Sequence, residues 1–346
     1  MTKKFDVVIG NPPYQEEAAG DGTNQLPIYH QFMEAAYAVA EKAVLITPAR
    51  FLFNAGYTPK AWNAKMLADP HLTVPFYAEN SHGLFPGTDI KAGVAVTYRD
   101  TSRTDGPIGT FSKHVELNSI LHRVARAGEE SLTTLGITND RVYRYTEQLH
   151  EDHPELSATM SAGNQFKINS KVMARLGAVY STELPAHGGP YVRVLGLDER
   201  KKRTFRWILG KYIAGPEALD KFKVALPKAN GSGAFGEVLA SPVVLEPATA
   251  VADTFITMGA FENSQHADAC LKYIKSKFAR ALLGMLKVTQ DNLARVWSYI
   301  PIQDFSSSSD IDWSKSIPEI DRQLYAKYGL DAEEIAFIEE KVKPME

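Results

Sequence analysis

The chain has almost no cysteine and no long hydrophobic run. Among its 346 residues only Cys270 carries a thiol, which excludes an internal disulfide and fits a reducing compartment. No apolar stretch approaches the roughly 20 residues that a membrane-spanning helix needs, and we recognise no signal peptide before the first predicted strand. We therefore expect a cytoplasmic protein that does not enter a membrane.

The chain also lacks a large excess of positive charge. Its formal net charge is −3, which argues against indiscriminate nucleic-acid binding but leaves room for a local basic face. There is no internal repeat and no low-complexity tract. Hydrophobic residues make up 44% of the chain, enough for a substantial core.

The most informative segment lies near the start of the chain. Residues 5–10 form a short apolar run, which predicts a buried strand of a parallel sheet. Asn11-Pro12-Pro13-Tyr14 follows at once. This tetrapeptide after a hydrophobic strand resembles the site of enzymes that methylate an exocyclic amine, most often N6 of adenine. The alternative interpretation is a proline turn that Asn11 caps.

The chemistry of amine methylation explains these residue types. An aromatic amine is a poor nucleophile, and it improves when two acceptors take its N–H groups. Asn11 would offer a side-chain carbonyl and Pro12 a main-chain carbonyl, while Pro13 stiffens the loop by fixing φ. Tyr14 would stack on a base that has left the duplex, and such stacking contributes about 1–3 kcal/mol.

The next segments alternate between helical and strand-like patterns. We predict helices at 28–41 and 57–67 and strands at 43–48, 72–77 and 92–98, the last two around a Gly/Pro turn at 83–87. The fold class predicted is therefore α/β: the second half of a doubly wound, Rossmann-like sheet. A mixed α+β region follows.

The chain resembles the adenine-N6 DNA methylases of type II restriction–modification systems, in particular those that carry methylase and recognition domain in one polypeptide. The resemblance is carried by residues 5–14, 27–29, 45–51 and 84–93, and later by 272–280, 288–292, 323–330 and 335–339. It implies S-adenosylmethionine as the cofactor, double-stranded DNA as the substrate and residues 11–14 as the catalytic motif.

The donor motif of that family is not found in this chain. Family members carry a strand and a Gly-rich turn for S-adenosylmethionine upstream of the motif strand, and ten residues leave no room for them. Residues 244–250 and 231–236 resemble parts of such a motif weakly, and a loop between strands is the favoured interpretation of the second. We expect the strand at residues 5–9 to be an open edge that a partner chain or a second copy covers.

Two basic clusters are candidates for DNA contact. Arg200-Lys201-Lys202-Arg203 precedes aromatic residues, and Lys272, Lys275 and Arg280 lie mostly off the apolar stripe of a helical stretch at 266–284. The alternative for each is a solvated surface. No metal site is predicted, because the run His150-Glu151-Asp152-His153 is followed by proline and has no evident third ligand.

Polar and serine-rich segments that interrupt the helix and strand patterns divide the chain into three predicted regions. A polar breaker at 99–107 separates a partial catalytic domain at 1–105 from a target-recognition domain at 108–305. A serine run at 306–309 precedes a helical tail at 310–346. Its two helices have capping-box patterns that begin at Ser316 and Asp331, and Gly329 closes the first.

Two functions fit this sequence. The first is a site-specific DNA adenine N6-methyltransferase that flips the adenine and is incomplete alone. The second is a DNA-binding specificity module, derived from such a methylase, that transfers nothing. A methylase of RNA or of a protein glutamine ranks below both, because the downstream region resembles a DNA-recognition domain.

Overall fold

The computed structural model describes residues 4–16, 26–88, 90–139, 141–161, 163–173, 175–287 and 289–346. Asp89 and Val288, each in a stretch that resembles the family, lie outside them. The chain divides into two compact units, Met1–His122 and Arg123–Glu346.

The first unit alternates strands and helices before a long helix that ends in the second unit. Its elements are β1 (Phe5–Gly10), α1 (Tyr29–Val39), β2 (Ala40–Pro48), α2 (Lys60–Leu67), β3 (Leu72–Ala78), β4 (Val94–Asp100) and α3 (Val115–Ala127).

The four strands of the first unit form one sheet in the order β1-β2-β4-β3. β1 and β2 are parallel, and β4 lies antiparallel between β2 and β3. The parallel pair needs a crossover, which α1 supplies. Tyr29 and Met33 of α1 are buried together with Phe51 and Trp62, and this aromatic-rich cluster is the core of the unit.

Several element boundaries differ from the prediction, and the strand predicted at 92–98 lies at Val94–Asp100. α1 ends at Val39 and β2 begins at Ala40, three residues earlier than expected, because Ala40 already pairs with Phe5 of β1. α2 begins at Lys60 and not at 57, because Pro59 stands at the start of the helix and the preceding residue is restricted away from helical geometry.

The strand β1 has the predicted direction but not the predicted burial. Within the described residues it pairs only with β2, so its second edge is open. Phe5, Val7 and Ile9 alternate along the strand and are 57%, 47% and 75% exposed. An apolar strand of this kind is normally covered on both faces in a parallel sheet.

The second unit combines short strands with helices. Its strands are β5 (Arg144–Tyr145), β6 (Tyr191–Leu197), β7 (Arg203–Leu209), β8 (Ile213–Ala214), β9 (Phe222–Pro227), β10 (Val243–Leu245), β11 (Thr249–Val251) and β12 (Phe255–Phe261). Its helices are α4 (Glu147–Asp152), α5 (Ser170–Met173), α6 (Ser264–Lys275), α7 (Lys277–Leu283), α8 (Ile317–Lys327) and α9 (Ala332–Lys341).

These strands form three small sheets among the described residues. Their orders are β10-β9-β12, β11-β6-β7 and β5-β8. A core of buried tyrosines and aliphatic side chains, which includes Tyr143, Tyr145 and Val194, lies against the β11-β6-β7 sheet. The protein is therefore a mixed α/β protein, as the sequence predicts.

The helical stretch at 266–284 is two helices and not one. Ser276 adopts an extended conformation between α6 and α7, and its hydroxyl accepts a hydrogen bond from Ala279 N at 3.1 Å. Asp321 of α8 accepts from Lys277 N and Phe278 N, so two more of the unpaired N–H groups at the start of α7 are satisfied. The break depends on a carboxylate more than forty residues away.

The two C-terminal helices have the capping residues that the sequence predicts. Ser316 with Glu319 and Asp331 with Glu334 each form a capping box, and Gly329 has φ +61° between α8 and α9. Within the described residues, no helix is both long and apolar enough to cross a bilayer.

Candidate functional site

The tetrapeptide 11–14 lies at the edge of the first unit's sheet where β1, β2 and β3 end. These three strands run in the same direction, so their carboxyl ends share that edge. The loops that follow them are residues 11–16, the 3₁₀ turn Ala49–Phe53, and the turn that starts at Ser81. In open α/β sheets this edge is where ligands bind.

Main-chain hydrogen bonds hold the loop at 11–16 against the start of α1. Ile28 N donates to Tyr14 O at 3.1 Å, and Glu16 N donates to Leu26 O at 2.9 Å. Asn11 and Pro13 are exposed, whereas Pro12 and Tyr14 are half-buried. The Asn11 side chain is therefore accessible from solvent at a fixed point of the sheet edge.

Tyr14 has a buried hydroxyl without a hydrogen-bond partner among the described residues. Burial raises the pKa of Tyr14, and the nearby Asn11 side chain opposes part of that rise without reaching hydrogen-bond geometry. A buried hydroxyl without a partner costs about 1–3 kcal/mol. The side chain of Asn11 therefore lies close to the Tyr14 hydroxyl.

A buried polar network supports the loop that follows β2. Thr58 Oγ1 donates to Asn63 Oδ1 at 2.7 Å, and Asn63 Nδ2 donates to Asn54 Oδ1 at 3.1 Å. Burial raises the pKa of Tyr29 to about 12, partly opposed by nearby Thr58 and by the charge of Arg50. The Tyr29 hydroxyl lies near this network but has no hydrogen-bond partner among the described residues.

The turn after β3 depends on two residues that the sequence analysis missed. Gly93 has φ +77°, and a Cβ there would lie 2.2 Å from Ala78 O, so no other residue fits this close approach. Ser81 Oγ donates to Thr88 O at 2.8 Å and accepts from Ile90 N at 2.9 Å, which closes the turn. The Gly/Pro composition of 83–87 predicts a turn but not these partners.

The first basic cluster forms the turn between β6 and β7. Lys201 and Lys202 are exposed, and the Asp198 carboxylate accepts from the main-chain N–H of Lys202 at 2.8 Å. The turn is therefore closed by an internal carboxylate, while both lysine side chains point to solvent.

Arg203, next in the chain, has a different environment. Its guanidinium donates to Ala240 O at 2.6 Å and to Ser241 O, and it lies over the Phe255 ring. Burial lowers the pKa of Arg203. This side chain ties the hairpin to its neighbours, so it positions the two exposed lysines.

The second basic cluster binds main-chain carbonyls of its own unit. Lys272 Nζ donates to Trp313 O at 2.7 Å and to Lys315 O at 2.9 Å, and Lys275 Nζ donates to Glu346 O. Both side chains are half-buried and hold the segment around α8 and α9.

Arg280 is the most buried member of that cluster, with 2% of its surface exposed. Its guanidinium donates to Lys275 O at 3.0 Å, to Glu237 O at 3.3 Å and to Lys343 O. Burial lowers the pKa of Arg280 to about 10. Its donors point to three carbonyls of the unit itself.

The two weak cofactor candidates have other local structures. Ser232 N and Gly233 N donate to the Glu237 carboxylate at 2.8 and 3.1 Å, so the glycine loop surrounds an internal anion. Burial alone would raise the pKa of Glu237, but the Lys287 ammonium at 2.6 Å and these N–H groups hold it below its usual range. Residues 244–250 join β10 to β11 with no helix between them. Neither segment fits S-adenosylmethionine.

Comparison with known proteins places the family resemblance in the first unit. Residues 1–85 match the family described as Eco57I restriction-modification methylase, and this range contains Asn11–Tyr14 and part of the turn after β3. The resemblance to restriction–modification methylases is confirmed for that part of the chain. No curated protein matches the chain significantly.

Two solved structures are similar to the chain at low identity. One is the type IIL restriction-modification enzyme MmeI in complex with DNA: 10% identity, TM-score 0.32, 97% of this chain and 56% of that one covered. The other is the type IIG restriction endonuclease BpuSI: 11% identity, TM-score 0.32, 92% of this chain and 48% of that one covered. The chain spans about half the length of each.

Proposed function

We propose that the chain acts in a restriction–modification methylase that methylates N6 of adenine in duplex DNA. The observation that carries the proposal is the position of Asn11 and Tyr14. They lie side by side at the carboxyl edge of the sheet, within the range that matches the methylase family. A simple proline turn would not need an exposed amide next to a half-buried tyrosine.

The loop at 11–16 would act on an adenine that has left the duplex. The side-chain carbonyl of Asn11 and the main-chain carbonyl of Pro12 each accept one N–H of the amine, which directs the nitrogen lone pair away from the ring. The ring of Tyr14 stacks on the base, and the fixed φ of Pro12 and Pro13 keeps the acceptors in place. S-adenosylmethionine would supply the methyl group. The amine loses its proton after the N–C bond has formed, so no strong general base is required.

The sheet of the first unit would be the second half of a doubly wound methyltransferase sheet. In support, β1 and β2 are parallel with a helical crossover, and the candidate site lies at their carboxyl ends. The second unit would then recognise the target sequence, with the helices α8 and α9 as its C-terminal tail.

A partner strand would complete the sheet next to β1. Phe5, Val7 and Ile9 expose an apolar row on a strand whose second edge is open among the described residues. We propose that a partner chain or a second copy pairs with this edge. The site for S-adenosylmethionine would come from a partner chain, because neither candidate segment of this chain fits the cofactor.

The exposed lysines of the β6–β7 hairpin would contact DNA phosphates. Six cations and two carboxylates lie between Arg193 and Trp207, in a chain whose net charge is −3. Lys201 and Lys202 are free to reach a backbone, while Arg203 holds the hairpin. Lys272 and Lys275 are half-buried and would contribute less, and Arg280 is left out because its donors are bound internally.

The second candidate function is a DNA-binding specificity module without transfer activity. The misfit of residues 231–236 and 244–250 to the cofactor favours it. The two functions differ in one property, which is whether the loop at 11–16 takes part in a chemical step.

The variant Asn11→Ala separates these two functions. Loss of one acceptor that acts in the transition state should lower methyl transfer by about 10²- to 10³-fold. Affinity for duplex DNA should stay within about twofold, because phosphate contacts supply most of it. Transfer of isotopic methyl from S-adenosylmethionine to unmethylated genomic DNA measures the first, and fluorescence anisotropy with a duplex measures the second.

Gln15→Ala is the matched control, since Gln15 is an exposed amide in the same loop. Gln15→Ala should change neither the rate of methyl transfer nor the affinity for duplex DNA. If Asn11→Ala lowered binding as much as transfer, the assignment of Asn11 to the chemical step would be wrong. If the unaltered chain, assayed together with its partner chain, bound duplex but transferred no methyl group, the specificity module would be the better description.

A further inference from the structure

Tyr57 is the most exposed large hydrophobic side chain of the described residues, at 77%. It lies in the 54–59 loop, which follows the 3₁₀ turn Ala49–Phe53 and therefore belongs to the same edge of the sheet as Asn11. An aromatic ring in this position exposes apolar surface to water on the side of the unit where we place the substrate.

The 54–59 loop is held on both sides of Tyr57. Asn54 has φ 52°, and its side chain accepts from the fully buried Asn63, which also binds Thr58. Gly56 has φ +81° and packs on the Arg50 side chain. Because the loop is fastened by buried groups, Tyr57 would lose little conformational entropy when it binds a partner.

A short series of contacts connects Tyr57 to the loop at 11–16. Tyr14 O accepts from Ile28 N, and the neighbouring Tyr29 places its hydroxyl near Thr58, the residue after Tyr57. Tyr14 and the residue that follows Tyr57 therefore each lie near a residue at the start of α1. The loops that carry Asn11 and Tyr57 therefore belong to one edge of the sheet.

The surroundings of Tyr57 are positively charged. Arg50 Nε donates to Lys91 O at 3.1 Å, and Lys60 Nζ donates to Asn54 O. Among the described residues, none of Arg50, Lys60 and Lys91 has a carboxylate partner in an ion pair. Cations around an exposed aromatic ring fit a polyanion with stacking surfaces, which is a description of DNA.

We propose that Tyr57 is a wedge that enters the duplex where the adenine leaves it. Its ring stacks on the base pair next to the vacated position, while the exposed Lys60 and Lys91 hold the adjoining phosphates. This inference rests on the proposed function, because it assumes that duplex DNA is bound and that one nucleotide leaves the stack.

A duplex with an abasic analogue tests the wedge without knowledge of the target sequence. The gap that Tyr57 must fill is already present in such a duplex. The full chain should therefore bind the abasic duplex about tenfold more tightly than the intact duplex of the same sequence. A tenfold difference in affinity lies within the range of one stacking interaction. A second copy of the abasic duplex carries 2-aminopurine beside the gap, and stacking of the tyrosine should quench its fluorescence.

Three variants complete the test. Tyr57→Ala should lose the abasic preference and the quenching, while its affinity for the intact duplex changes by less than about twofold. Tyr57→Phe should keep both the preference for the abasic duplex and the fluorescence quenching. Phe76→Ala, which removes a 46% exposed ring from β3 of the same unit, should behave like the unaltered chain.

The outcomes separate the wedge from the function on which it rests. If Tyr57→Ala bound duplex and kept both the preference and the quenching, the wedge would be overturned and the DNA-binding proposal would stand. If the unaltered chain bound no duplex of any kind, both proposals would fail.

Discussion

The two basic clusters of the second unit have similar composition and opposite surroundings. In the β6–β7 hairpin, Lys201 and Lys202 extend from a turn that Asp198 closes, and both stay exposed. Around α6 and α7, the donors of Lys272 and Arg280 point to carbonyls within the unit. A cation whose hydrogen bonds are satisfied inside the protein stabilises the fold, and only an exposed cation is available to a phosphate.

The largest effect that this difference predicts is on stability. Arg280→Met should lower the free energy of unfolding by about 3 kcal/mol, because three main-chain carbonyls lose their donor and the buried guanidinium is removed. Urea unfolding measures it. The folded fraction should bind duplex DNA with unchanged affinity, and a tenfold loss of affinity in folded protein would return Arg280 to the DNA interface.

A pH effect of intermediate size should come from Asp321, which satisfies the start of α7. Burial raises the pKa of Asp321 from 3.8 to about 6, and the charge of Glu339 adds to this rise. The main-chain N–H groups of Phe278 and Lys277 and the charge of Arg280 lower the pKa in part. Because the folded state prefers the protonated form, this contribution is present below the unfolded pKa and is lost as the pH rises through about 6.

The measurement is the free energy of unfolding at several pH values between about 4 and 7. The difference between the unaltered chain and Asp321→Asn should change by about 1–3 kcal/mol over this window, with the unaltered chain relatively more stable at the acidic end. The exposed Asp268→Asn on α6 serves as the matched control and should follow the unaltered chain. A difference that does not vary with pH would contradict the account.

The smallest effect concerns the hairpin and leaves stability unchanged. Replacing Lys201 and Lys202 together with alanine should weaken duplex binding about tenfold at low salt and reduce the slope of log K against log salt by about 1.8, which is the value for two phosphate contacts. The free energy of unfolding should change by less than about 0.5 kcal/mol. An unchanged salt slope would mean that the hairpin does not contact the backbone.

Local rules explain which parts of the molecule the sequence could predict. The strand at 5–10, the capping boxes at Ser316 and Asp331 and the loop at 231–236 depend on a few neighbouring residues, and the structure has all of them. The tetrapeptide 11–14 belongs to the same kind of signal, and its catalytic role stays a prediction.

Long-range partners explain what the sequence could not predict. The break at Ser276 needs Asp321, the bound state of Arg280 needs carbonyls as far away as Lys343, and the requirement for glycine at 93 comes from Ala78. Periodicity and charge patterns predict the local structure and polarity around a residue. They do not predict which distant group its side chain contacts.

Nucleoside analysis after methyl transfer tests the central claim most directly. The chain is isolated from its native cells together with the partner that binds it, and is incubated with isotopically labelled S-adenosylmethionine and unmethylated genomic DNA. The DNA is then digested and its nucleosides are separated by mass spectrometry. We predict label in N6-methyldeoxyadenosine and loss of that label with Asn11→Ala. Label in another nucleoside, or DNA that is bound and stays unlabelled, would contradict the assignment of the 11–14 motif to adenine methylation.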